Sequence, residues 1–124
     1  MRIKVDQPEI ALPYNPTKKP IEQSRHPHLD MDDQWIIQFL SEIQVGHIST
    51  RDENQPFINP TSFWYNKESH EIYFHSNAYG RMRFNAEKNP ETCFECFKSG
   101  RLLPSNLALE ASFQYECVIA YGKI

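Results

Sequence analysis

Between Asp30 and Gly46 the apolar positions follow a helical period. Trp35, Ile36, Phe39, Leu40 and Ile43 fall at i, i+1, i+4, i+5 and i+8, one face of a helix. Asp30 is placed to cap it, and Asp32 and Asp33 suit the positive end of its dipole. The spacing predicts a helix over 31–43 whose stripe is core. After Gly46 the pattern shifts to short strands separated by turn chemistry. Residues 45–50 (VGHIST), 57–65 (FINPTSFWY) and 70–75 (HEIYFH) read as three strands, with polar turns at 51–55 and 66–69. Pro60 cannot donate to a ladder, so the second strand is expected to carry a bulge or an unpaired edge at its middle. Residues 80–89 (GRMRFNAEKN) read as a short helix ended by Pro90, with Met82, Phe84 and Ala86 on its inner side. Residues 92–97 form a fourth strand, 98–105 a loop, and 113–122 a fifth strand. The order predicts a mainly β (α+β) fold, an antiparallel barrel with peripheral helices.

Ahead of this domain, Pro8, Pro13, Pro16, Pro20 and Pro27 forbid a helix and discourage a paired strand. Residues 1–29 read as an extended Pro-rich arm and 30–124 as the domain proper. Such an arm is either a leader without fixed structure or a segment lying on the domain or a partner subunit. Ile10, Leu12, Tyr14 and Ile21 would be its buried positions.

Composition narrows the class. A chain of 124 residues fits one domain. A formal charge of -3 and a pI near 5.9 argue against a general nucleic-acid partner. No apolar run approaches the roughly 18 residues of a membrane helix, so no membrane partner is expected. Residues 1–6 (MRIKVD) lead into no apolar stretch, as a secretory signal would. Three cysteines cannot form a complete disulfide framework, which favours a reducing, cytoplasmic location.

Few motifs carry chemistry. Cys93 and Cys96 form a C-x-x-C, but zinc needs about four ligands and no second pair follows. In a strand the two thiols point to opposite faces, so they and Cys117 read as ordinary strand residues. Of the five histidines only His26 and His28 are closely spaced, in the arm, and no metal site is expected. There is no G-x-S-x-G, H-E-x-x-H, P-loop or G-x-G-x-x-G. One segment stands apart, 73–83 (YFHSNAYGRMR): a strand ends in His75 and Ser76, and a loop through Gly80 opens a helix at Arg81 and Arg83. A helix N-terminus, a hydroxyl and guanidinium forks make a cradle for a phosphate dianion. The same residues also suit a plain strand–loop–helix whose arginines pair with Glu87 or meet water.

The succession 45–50, the strand with Pro60, 72–76 (IYFHS), Gly80-Arg81 and Asn89-Pro90 resembles the pyridoxamine 5'-phosphate oxidase-like FMN-binding split barrels. It is most similar to their nitroimidazole-resistance (Nim-type) branch, with its F-H-G/S-A-x-x-G-R-K-x-x-x-L-x-x-N-P stretch. The resemblance spans about 30–122 and implies a six-stranded split barrel, a homodimer with FMN at the subunit interface, and a small-molecule substrate. Arg81 matches the family's phosphate-binding arginine. His75 and Ser76 match positions lining the phosphate and ribityl chain, beside Gly80. Asn59, Pro60, Thr61 and Ser62 match the strand along the isoalloxazine ring. Met82 stands where the family often has a lysine, which leaves Arg83 to compensate. The family usually continues beyond the strand at 113–122 with another strand, so an open edge is expected here, attracting a partner or the arm. The resemblance implies a flavin-dependent oxidoreductase. The alternatives are a haem-binding relative, with His47, His75 and Cys96 as candidate iron ligands, and an interaction domain without ligand.

Overall fold

The computed structural model describes Asn15, Thr17, Ser24 and residues 26–124. The chain divides into two units, Met1–Asp30 and Met31–Ile124. In the first, the Asn15 Oδ1 accepts from the Thr17 backbone N–H and hydroxyl, and Pro27–Leu29 form one 3-10 turn. The burial expected of Ile10, Leu12, Tyr14 and Ile21 falls outside the described residues.

In the second unit α1 (Asp33–Glu42) leads into β1 (Val45–Asp52), β2 (Gln55–Asn66) and β3 (Glu71–Phe74). Then come α2 (Arg81–Lys88), β4 (Glu91–Leu103) and β5 (Ser112–Lys123). The strands form one five-stranded sheet, ordered β3-β2-β1-β4-β5, with every pairing antiparallel. It is mostly β, and among the described residues it does not close: β3 and β5 remain as edges.

Each element has a local cause. The cap of α1 is Asp32 rather than Asp30, its Oδ1 accepting the Trp35 N–H at 2.8 Å. A two-residue turn joins β1 to β2, with Glu53 at φ 50, a conformation more at home on Gly or Asn. Between β2 and β3 the Asn66 side chain caps the turn, accepting from the Glu68 and Ser69 N–H groups. Of the loop expected at 98–105 only Pro104 and Ser105 lie outside a strand. β4 runs to Leu103 and shifts register between Ser99 and Leu102, and the Phe97, Phe113 and Tyr115 rings cluster on the resulting ribbon.

Strand alternation gives the sheet two faces. On the covered face, Phe39 and Leu40 of α1 pack on Ile48, Phe94, Cys96 and Val118. Gly46 belongs here because a Cβ would overlap the Phe94 ring. The other face is open: His47, Ser49, Pro60, Glu95 and Cys117 share it with exposed Val45, Ile58, Trp64, Tyr73, Tyr115, Ile119 and Tyr121. The two thiols of the C-x-x-C do lie on opposite faces. Desolvation by burial pushes Cys96, inside, and Cys117, outside, up to about 11.

Pro60 leaves the β1–β2 register unbroken from Val45 and Ser62 to Asp52 and Gln55. The bulge is therefore ruled out in favour of an edge. β3 pairs only with residues 63–66 of β2, so among the described residues 55–62 have no ladder partner on the side away from β1.

Candidate cofactor site

The uncovered stretch of β2 is the floor of the candidate site. Its side chains alternate: Asn59 and Thr61 pair with Ile48 and Gly46 and turn to the covered face, half-buried. Pro60 and Ser62 turn to the open face and are exposed. An exposed strand edge offers its main-chain groups to a ligand as it would to another strand.

At the Phe57 end of this stretch stands α2, bolted to the sheet by Asn85. The Asn85 side chain is fully buried and donates to Thr50 Oγ1 at 3.1 Å. That anchor turns Arg81, Phe84 and Lys88 to the β1–β2 turn, since they are spaced i, i+3 and i+7 on one helix stripe. Phe84 is therefore exposed instead of inward, and the fully buried Asn85 sits on the inner side. Arg81 Nη1 donates to Asp52 Oδ2 at 3.2 Å, while Lys88 Nζ lies 3.6 Å from Asp52 Oδ1. The Arg81 guanidinium also stands 5.6 Å from the centroids of both Phe57 and Phe84, a cation held between two rings. Lys88 covers Phe84 at 4.3 Å.

Arg83 points elsewhere. Its Nε donates to Glu87 at 2.9 Å, and it lines a cleft of about 780 Å³ with Ser76. Ile72 and Phe74 of β3, Met82 of α2 and Ala120 of β5 give this cleft an apolar wall, so the two sheet edges border one opening. Arg81 and His75 do not line it. Gly80 caps α2 with no side-chain hydrogen bond, leaving the first-turn N–H groups free of a capping side chain. The structure thus brings Ser76 and Arg83 together and sends Arg81 to a separate place beside Asp52. Asp52, Phe57 and Lys88 escaped the sequence reading, because only the β1–β2 register puts the hairpin turn against α2.

On the open face, His47 Nδ1 lies 2.9 Å from Glu95 Oε2, and the Cys117 thiol donates to Glu95 Oε1 at 3.7 Å. On the edge strand β3, the Tyr73 hydroxyl donates to Glu71 and holds that carboxyl below its usual range. Among the described residues no group of His, Cys, Asp and Glu could hold a metal ion. No described helix is long and apolar enough to cross a membrane.

The sequence profile of pyridoxamine 5'-phosphate oxidase matches residues 32–124. The chain belongs to that family. A search of curated proteins finds no match. Solved structures share the fold at low identity. A flavocytochrome from Azotobacter vinelandii superposes with a TM-score of 0.66 at 20% identity over 76% of this chain and 42% of its own. An FAD- and haem-binding protein from Mycobacterium smegmatis gives 0.68 at 13% identity, over 76% and 45%. A protein from Bacteroides thetaiotaomicron, named for 5-nitroimidazole antibiotic resistance, gives 0.63 at 21% identity, over 76% and 55%. The chain therefore spans about half the length of these structures. They establish the split-barrel architecture, of which this sheet is the five-stranded, open form.

Proposed function

We propose that this protein binds FMN along the uncovered edge of β2, as one subunit of a homodimer, and serves as a flavin-dependent oxidoreductase for a small molecule. One observation carries the reading. Among the described residues, 55–62 of β2 lack a ladder partner on one side, and the Arg81 fork lies against Phe57 on that same stretch. A flavin has a flat polar ring edge and an anionic tail, and these two features match its two ends. The main chain of Asn59, Pro60, Thr61 and Ser62 meets the ring, His75, Ser76 and Gly80 flank the chain leading to the phosphate, and Arg81 grips the phosphate. Arg83 reaches the same tail only from the cleft side. The bound flavin supplies the electron transfer, while these residues hold and orient it. Family membership and the flavin-binding neighbours support the reading, and three free thiols fit a cytoplasmic setting.

Quenching of flavin fluorescence tests it. FMN is expected to saturate the wild-type protein, and Arg81→Ala to weaken binding roughly tenfold or more, the scale of a lost charge-assisted bond. No saturable quenching by the wild type would remove the proposal.

A second reading is haem at His47. Glu95 holds Nδ1 and leaves Nε2 open on an exposed face, the orientation a carboxylate gives a metal-binding imidazole. Cys96, enclosed in the core, offers no ligand there. A visible absorption spectrum of the purified protein separates flavin from haem.

A further inference from the structure

We propose that Asp52 is an internal competitor for the phosphate of the bound flavin, an anion that occupies the Arg81 site until the ligand displaces it. This rests on the FMN reading for the identity of the ligand, though not for the existence of an anion site.

The carboxylate of Asp52 spans two cations. Oδ2 takes the Arg81 guanidinium at 3.2 Å and Oδ1 faces the Lys88 ammonium at 3.6 Å. Two oxygens shared between a guanidinium and an ammonium is the arrangement that two oxygens of a phosphate would adopt. Backbone geometry fixes the competitor in place. Asp52 ends β1, opposite Gln55 across the two-residue turn, so its carboxylate is presented to α2 at high effective concentration. The cations are fixed as well, Arg81 between Phe57 and Phe84, and Lys88 over Phe84.

A dianion still wins the exchange, because it brings two charges where the carboxylate brings one. Asp52 keeps 29% of its side chain exposed and can rotate into water when displaced. Its effect is a tax on every phosphate-bearing ligand and none on a ligand that lacks the phosphate. The residue thereby sets how far the site discriminates FMN from riboflavin.

The experiment compares dissociation constants of FMN, riboflavin and inorganic pyrophosphate for the wild type, Asp52→Asn and Arg81→Ala, with circular dichroism to confirm folding. Asparagine suits the turn end and keeps the shape while removing the charge. In low salt, Asp52→Asn is expected to tighten FMN and pyrophosphate about two- to tenfold and to leave riboflavin within about twofold. The gain should shrink as salt rises. Unchanged or weaker FMN and pyrophosphate binding in Asp52→Asn overturns the proposal and makes Asp52 a bystander or a holder of Arg81. Tighter pyrophosphate with no flavin binding at all would keep the anion site and sink the flavin reading instead. Should Asp52→Asn fail to fold, Asp52→Ser carries the same expectation.

Discussion

The Asn85 amide donates to the Thr50 hydroxyl at 3.1 Å, with both side chains shut away from solvent. This is the bond that fixes α2 on β1 and so aims Arg81 and Lys88 at Asp52. Thr50→Val keeps the shape and removes the acceptor, leaving a buried amide N–H unpaired. A loss of about 1–3 kcal/mol is expected, read as a lower urea midpoint at constant slope. An unchanged midpoint would show that the helix is held without this bond.

The thiols give a pH signature. Burial holds Cys96 and Cys117 up at about 11, against an ordinary 9.0, with Glu95 adding its charge to both. The unfolded chain releases these protons first, so it gains free energy from ionisation before the folded chain does. Stability owed to the neutral thiols is complete below pH 9 and is lost progressively toward 11. Alkylation at pH 8 should accordingly be slow in the folded protein and fast in denaturant. Fast labelling of the native protein at Cys96 would contradict the burial.

The open face bears exposed Trp64 and Tyr73 on β2 and β3, to one side of the strand that carries His47. It bears exposed Tyr115 and Ile119 on β5, which pairs with the strand that carries Glu95. Exposed apolar side chains gathered on one face mark association surfaces, and the proposed homodimer would bury this one. Ile119→Arg should convert the dimer to monomer in sedimentation velocity without loss of far-ultraviolet circular dichroism. A wild type that sediments as a monomer at all concentrations would rule the pairing out.

How much of this was written in the sequence depends on the distance over which the cause acts. The α1 stripe, the period-two runs and the opposite faces of Cys93 and Cys96 depend on neighbours a few residues away, and they were legible. So was the family, through the likeness carried by 72–90. The cap at Asp32 was misplaced by two positions because Asp30, Asp32 and Asp33 all favour a helix start and only backbone geometry chooses. The long β4–β5 ribbon was hidden because Ser99 and Gly100 have turn tendency, which cross-strand pairing and aromatic packing override as far as Leu103. Asp52 was invisible as a site residue: it reads as turn polarity until the hairpin register sets it against a helix about 29 positions later.

The junction between β1 and β4 has a consequence for how the molecule assembles. β1, β2 and β3 are joined by short turns, and β4 and β5 form a second local ribbon. Only two register pairs, His47 with Glu95 and Ile48 with Phe94, link them in the ladder. Beyond those pairs Ser49 takes over through its own groups, its carbonyl accepting from Thr92 and its hydroxyl from the Cys93 N–H. The sheet is therefore two locally connected modules, β1–β3 and β4–β5, joined by a narrow seam of high sequence separation, the kind of pairing that topology makes slowest to form. The free edge of β2 lies on the side away from that seam, so the edge proposed to meet the ligand belongs to the first module and does not wait on the most distant pairing of the sheet.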